Sequence, residues 1–333
     1  MPRTLFVILL GAMTLGIIPL HADSPCTPYN IGVEWLYWLS KEQGLIAGSL
    51  VDDFPDPTLK IVDVNTIDPG FVYSSGVRAY AGYIVPSKLW EIELIYTYMP
   101  IHSIAADVRA AGLVSDTYRQ VISPNLSGFP ALGALLDSPL SSLFTKWNGD
   151  LSYLDVDLSR VLHFGRGFNL QPHIGFRAAW MKQNFLIQGT LIVPSSINAV
   201  TFFIFNDIEK FRGLGIEGGL WLNWDVFCGF SLVGHIGGSI LSSRIHLTQE
   251  IEGLLGEGGP TVFDAHLTFR NPDDAIPTFD CFVGLQYIRP LCGRLVIAYI
   301  GWEQHTFFNI NHLSVWGGNF STQGLNLGLD ICF

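Results

Sequence analysis

The sequence predicts an all-β chain folded as a transmembrane antiparallel up-and-down β-barrel of about 10 strands, with 12 as the alternative count. Three observations predict it. The composition is apolar and poor in charge, with 49% hydrophobic, 13% aromatic and only 14% charged residues, where a soluble domain carries about 25% charged. Beyond the N-terminal segment, no uninterrupted apolar run reaches the roughly 20 residues that a membrane helix needs. The remaining segments alternate with period 2, and their connections alternate between short and long. That sorting matches barrels with short periplasmic turns and long outside loops. An ordinary antiparallel sheet also alternates, but has no reason to sort its loops.

The first element is a targeting segment. MPRTLFVILLGAMTLGIIPLHADSP places Arg3 before an apolar stretch, Leu5 to Leu20, which closes on Leu20-His21-Ala22. A basic start, a short apolar core and a small-residue cleavage site read as a secretory signal peptide over residues 1–22. Residues 23–333 are then the barrel. Strand-like segments lie near 30–40, 73–85, 89–101, 151–164, 168–185, 211–226, 229–248, 278–289, 294–308 and 321–333. Most reach the about 9–11 residues of a tilted membrane strand.

The short connections are Pro86-Ser87-Lys88, Gly165-Arg166-Gly167, the Phe227-Cys228 corner and Pro290-Leu291-Cys292-Gly293. The long ones run over 41–72, 102–150, 186–210, 249–277 and 309–320. The apolar 102–150 segment holds either a short helix folded into the mouth or the extra hairpin of a 12-strand barrel. The Gly-rich, acidic 249–277 segment reads as a surface loop, with calcium binding by Asp273 and Asp274 a minor candidate.

Alternate strand residues point to opposite faces. In WEIELIYTYM, Ile92, Leu94, Tyr96 and Tyr98 share a face with Trp90, opposite Glu91, Glu93 and Thr97. In the last strand Leu325, Leu327, Leu329, Ile331 and Phe333 oppose Thr322, Gly324, Asn326 and Asp330. Arg160 falls on the apolar set, so either it snorkels or the register slips there; Pro172 falls mid-strand, where only a bulge or unpaired position tolerates it. The polar set supplies the candidate lumen-lining residues: Glu34, Arg78, Glu91, Glu93, Asp155, Asp157, His173, Arg177, Glu217, Asp225 and Asp330. Acidic groups dominate, and some must pair with Arg78 and Arg177, because lone buried charges are costly. Small barrels are filled by side chains and wide ones are channels, so pore and plug stand level at this strand number. Aromatic residues beside the short turns suit a membrane interface.

The net charge of −11 argues against nucleic acid as a partner. No cofactor or metal site is expected. His102, His246, His266, His305 and His312, with Asp107, Glu250, Glu252, Asp264 and Glu303, sit at or above the expected outer rim. They carry no catalytic motif, so no enzyme is expected. Cys26, Cys228, Cys292 and Cys332 fall on the periplasmic side, which is oxidising, and are disulfide candidates within the chain or to other envelope proteins; Cys281 sits high in a strand.

Two stretches carry a family resemblance. GVEWLYWLSKEQGL, Gly32 to Leu45, resembles the opening of the pore-forming major outer membrane protein family of Legionella and chlamydia-like bacteria. LQPHIGFRAAWMKQNF resembles its central strand, with Pro172, His173, Gly175 and Arg177 at the patterned positions. The resemblance implies a porin-like barrel in the outer membrane of a Gram-negative bacterium. It supplies no catalytic residues. The expected partners are outer-membrane lipid, a second copy of the chain or disulfide-linked envelope proteins, and the outer-membrane assembly machinery, for which the terminal Phe333 resembles a recognition signal. The expected function is passive diffusion of small solutes or ions through a narrow acidic lumen. The alternative is a closed structural or adhesin barrel that displays surface loops and is cross-linked by periplasmic disulfides.

Overall fold

The structure, a computed structural model, describes residues 28–53, 64–85, 90–110, 112–115, 118–124, 140–165, 167–191, 202–255, 261–313 and 318–333. The expected signal peptide, Cys26 and the Pro86-Ser87-Lys88 turn lie outside the described residues. Ten long strands form the wall: β1 (Tyr29–Glu42), β2 (Tyr73–Val85), β3 (Trp90–Ile104), β4 (Leu140–Arg160), β5 (Phe168–Leu191), β6 (Phe202–Phe227), β7 (Phe230–Leu255), β8 (Thr261–Leu291), β9 (Arg294–Asn311) and β10 (Gly318–Cys332). Each pairs antiparallel with the next. β10 returns to β1 in a ladder from Asn30↔Cys332 to Glu42↔Phe320. Closure matters because an open edge in hydrocarbon leaves backbone groups unpaired at a cost of several kcal/mol each.

The alternation resolves as expected. Ile92, Leu94, Tyr96, Ile174, Phe176, Leu214 and Ile216 are exposed on the outer face, while Thr97, Asp155, Arg177 and Glu217 are buried inside. Arg160 keeps the register. It lies on the exposed side, with its guanidinium 5.6 Å from the Trp90 ring. Pro172 is also exposed. The β4–β5 ladder stops at Ser159↔His173 and resumes at Leu162↔Leu170, so the nitrogen without a proton falls beside a break in the pairing.

The outer face also marks the membrane. On β5 every second residue from Phe168 to Trp180 is apolar, and Lys182 follows. On β6 the run from Val226 up to Leu214 is apolar or Gly, and Arg212 follows; on β7 the run from Phe230 to Ile240 is followed by Ser242 and Arg244. Twelve steps at about 3.3 Å, on strands tilted about 40°, rise roughly 30 Å, a hydrocarbon thickness. Aromatic rings gather at the short-turn rim, with Tyr29–Tyr83 centroids 5.1 Å apart, Phe227–Phe230 5.4 Å and Phe230–Tyr287 4.7 Å.

The strands overrun several predicted loops. β4 begins at Leu140, β5 and β6 extend to Leu191 and from Phe202, and the β7–β8 ladder reaches Leu255↔Thr261. The 249–277 segment is therefore mostly hairpin, and Asp273 and Asp274 lie within β8. The physical reason is burial: Phe203, Phe205, Ile245, Leu247 and Ile251 go on packing inward beyond the membrane. Among the described residues the 102–150 segment adds no eleventh or twelfth strand to the barrel wall. Its Tyr118–Pro124 strand pairs with Gly48–Asp53, which pairs with Val64–Ile67, as a small sheet on the long-loop side.

Two periplasmic turns share one construction. Cys228-Gly229 has φ of 44° and 83°, and Cys292-Gly293 has 52° and 77°. Positive φ at both central residues is the type I′ hairpin turn, which favours Asn-Gly. Cysteine is strained there, so Cys228→Asn is expected to raise stability by about 0.5–1 kcal/mol, read as a higher urea midpoint. The expectation of a disulfide within the chain is not met among the described cysteines, because none of Cys228, Cys281, Cys292 and Cys332 is joined to another. Cys228 and Cys292 are exposed at the tips of separate hairpins, whereas Cys332 is buried on the inward face of β10.

Candidate functional site

The lumen has two zones. On the long-loop side it is packed with apolar side chains: Leu36, Trp38, Met99, Trp147, Met181, Phe211, Leu241, Phe307 and Phe320 are all buried. A chain of rings crosses it. Phe71 meets Trp147 at 5.5 Å, Trp147 meets Phe320 at 6.3 Å, Phe320 meets Phe307 at 6.2 Å and Phe307 meets Phe211 at 6.4 Å. The residues come from β4, β6, β9 and β10 and from the segment before β2, so the chain ties opposite walls.

Below the rings lies a layer of charge. Arg78 Nη1 donates to Glu34 Oε2 at 3.0 Å and to Glu303 Oε2 at 2.9 Å, its Nη2 to Glu303 Oε1 at 3.0 Å and to the Tyr153 hydroxyl at 2.9 Å, and its Nε to Thr97 at 2.9 Å. Arg177 grips Asp155 with two parallel bonds of 2.8 and 3.0 Å, and reaches Asp280 at 2.6 Å and Glu217 at 2.9 Å. His305 joins the two halves. Its Nδ1 lies 2.5 Å from Asp280 and its Nε2 2.7 Å from Glu303. Both ring nitrogens can donate only in the imidazolium form. Asn326 donates to Glu34 and Glu303 and accepts from the Trp38 indole at 2.7 Å. Strand register builds this layer directly: Glu34 lies opposite Arg78, Asp155 opposite Arg177 and Asp280 opposite His305.

Under the layer a cavity of about 260 Å³ extends toward the short turns, reaching Asn30, Gln171, Asn223 and Gln286. Nine carboxylates and two arginines line it. Its wall includes Glu91, held by Asn30 at 2.9 Å and Gln171 at 2.8 Å, and Asp330, bonded to Tyr80. The imidazoles of His173 and His235 lie 5.1 Å apart, with Trp221 stacked on His235 at 4.4 Å. Of the predicted lumen residues, Glu34, Arg78, Glu91, Glu93, Asp155, Asp157, His173, Arg177, Glu217 and Asp330 line this cavity. Asp225 does not. It is exposed at the rim, where Ser231 donates to it at 2.6 Å.

Sequence reasoning missed Asp280, Tyr153 and the packed rings, and it placed Glu303 and His305 at the outer rim. They sit in mid-lumen because β8 and β9 continue well past them on the long-loop side. The signal available was apolar residues on both faces of one strand, as in Trp35, Leu36, Tyr37 and Trp38, which marks a filled interior.

Above the membrane band the wall buries more acid. Asp207 and Glu209 are fully buried, Glu209 accepts from the His312 backbone N–H at 2.8 Å, and Glu42 stands buried nearby. Burial pushes Asp207 and Glu209 each up to about 8, and pushes Glu42 upward with help from the Glu209 charge. The folded pKa lies above the unfolded value of about 4, so the folded state holds more protons between the two. The stability these groups contribute is full below about pH 4 and is lost as pH rises through about 8. Urea midpoints are therefore expected to fall over that window, and the fall should shrink in Asp207→Asn.

With this geometry in view, comparison with known proteins places the chain. Residues 23–333 match the family described as the Legionella pneumophila major outer membrane protein precursor. The chain belongs to that family. As a member of this major outer membrane protein family it is an outer-membrane barrel, and the resemblance read from Gly32–Leu45 and Leu170–Phe185 holds. No curated protein matches it. Among solved structures it is similar to the outer membrane protease OmpT of Escherichia coli, at 11% identity and a TM-score of 0.41 over 94% of this chain and 99% of that one. It is also similar to a major outer membrane protein of Thermus thermophilus, at 10% identity and a TM-score of 0.33 over 92% and 98%. A Pseudomonas aeruginosa FadL homologue aligns at 7% identity and a TM-score of 0.28, over 92% and 89%.

Proposed function

We propose that this family member is a narrow, gated porin-like barrel that passes small cations. The observation that carries this reading is the acidic cavity, in which nine carboxylates face two arginines at the short-turn side. Such a surplus concentrates cations and repels anions. The ring chain above it is the gate, and conduction requires its displacement. The reading gives His305 no catalytic role: it is buried, and both its nitrogens are occupied by carboxylates. Phe333, whose N–H donates to Tyr29 at 2.9 Å, completes the closing strand that the assembly machinery would read.

The test is single-channel recording of the folded protein across a salt gradient. Brief openings with a cation-selective reversal potential are expected. Anion selectivity would remove the proposed role of the carboxylates. A silent bilayer with folded protein would favour the second reading, a closed structural barrel. That reading rests on the free, exposed Cys228 and Cys292 thiols at the short-turn tips, and makes them the cross-links to other envelope proteins.

A further inference from the structure

Where the apolar band ends, the outer wall turns basic on three adjacent strands. Lys182 of β5 lies directly opposite Lys210 of β6, and Arg212 of β6 directly opposite Arg244 of β7. Lys182, Lys210, Arg212 and Arg244 are all exposed, and their neighbours Met181, Gln183, Phe211, Ser243 and Ile245 are buried, so the four side chains project outward. Directly opposed residues have Cβ atoms about 5 Å apart, and like charges at that spacing repel. Lys210 and Arg212 are two residues apart on one face, about 7 Å along the strand. Lys182, Lys210 and Arg212 therefore form a close triangle, with Arg244 one strand further on and His246 opposite Lys210 on its flank. The chain as a whole holds only 18 basic residues against 29 acidic ones, and three of the 18 meet here. Asp150 lies opposite Lys182, and Asp274 lies opposite Ser243, beside Arg244. Among the described residues no carboxylate lies within ion-pair distance of Lys182, Lys210 or Arg212.

We propose that the triangle of Lys182, Lys210 and Arg212 binds the phosphate groups of an outer-leaflet lipid. Its height selects the ligand. Lys182 is the next outward residue above Trp180, and Arg212 the next above Leu214, so the charges sit where acyl chains end and headgroups begin. A phosphorylated lipid can lay its chains along Phe176, Trp180 and Leu214 while its phosphates neutralise the triangle. Arginine adds paired hydrogen bonds to phosphate oxygens. Clustered cations at a membrane surface attract anionic headgroups in the same way.

The test uses the folded protein in neutral detergent with phosphorylated lipid A, dephosphorylated lipid A and inorganic phosphate as probes. Phosphorylated lipid A is expected to bind at least 10-fold tighter than the dephosphorylated form, with affinity falling as salt rises. The triple variant Lys182→Gln, Lys210→Gln, Arg212→Gln is expected to lose that preference while its urea midpoint stays within error, since none of the three residues packs inside. Equal binding of both lipid forms, or an unchanged preference in the folded triple variant, would overturn the proposal. Displacement of the lipid by millimolar inorganic phosphate would overturn the lipid assignment, because a free anion would then satisfy the triangle.

Discussion

Arg177→Met is expected to destabilise the barrel by about 3–5 kcal/mol. Arg177 is 6% exposed and its guanidinium ties Asp155, Glu217 and Asp280 together. Methionine keeps much of the side-chain volume and removes the charge, which leaves Asp155 and Glu217 without their cation and Asp280 with His305 alone. The urea midpoint of protein folded in lipid vesicles reads the loss. Arg177→Lys restores charge but not the planar fork that holds Asp155 by two bonds, so it should recover only part of it. Adding Asp155→Asn to Arg177→Met should also recover part, because one orphaned charge disappears. A midpoint unmoved by Arg177→Met would mean that water screens these groups and that the layer is no structural element.

Trp147→Ala should cost a similar about 3–5 kcal/mol and should also change permeability. Trp147 is completely buried, contacts Phe71 and Phe320, and donates its indole N–H to Gln183 at 2.8 Å. It is the ring at which the crossing chain passes from β4 to β10. Its removal leaves a void in the gate and an unsatisfied acceptor beside it. Ion current through planar bilayers is expected to show longer or more frequent openings than the parent protein. Loss of stability with no change in current would separate packing from gating and would count against the rings as the seal.

Much of this architecture is legible in the sequence. Period-2 patterning assigns Glu34, Arg78, Asp155, Arg177 and Glu217 to the interior, because alternation is a property of the strand itself. Loop sorting orients the chain, and β10 closes on β1 as its pattern requires. What stays hidden depends on where each strand stops. Patterning marks the membrane crossing, but β5 to β8 remain paired well above it, so their upper reaches read as loops. The same blindness moves Glu303 and His305 to the rim. Height inside a barrel follows from strand tilt and stagger, which no single strand records. Asp225 is misplaced for the converse reason: it has the inward parity, but it lies at the end of β6, where inward means out into water.

The opposed pairs of the charge layer also act on the folding reaction. Glu34 and Arg78, Asp155 and Arg177, and Asp280 and His305 each face one another across a different strand junction. A slip of one residue at any of these junctions reverses which side chains face hydrocarbon. Arg177 would then turn toward acyl chains, at about 2–4 kcal/mol for an arginine near the midplane, and would forfeit its carboxylates as well. The misaligned barrel is penalised twice by the same residue. The lumen charges thus proofread insertion, and an interior dense in costly groups becomes the means by which ten strands settle into one alignment.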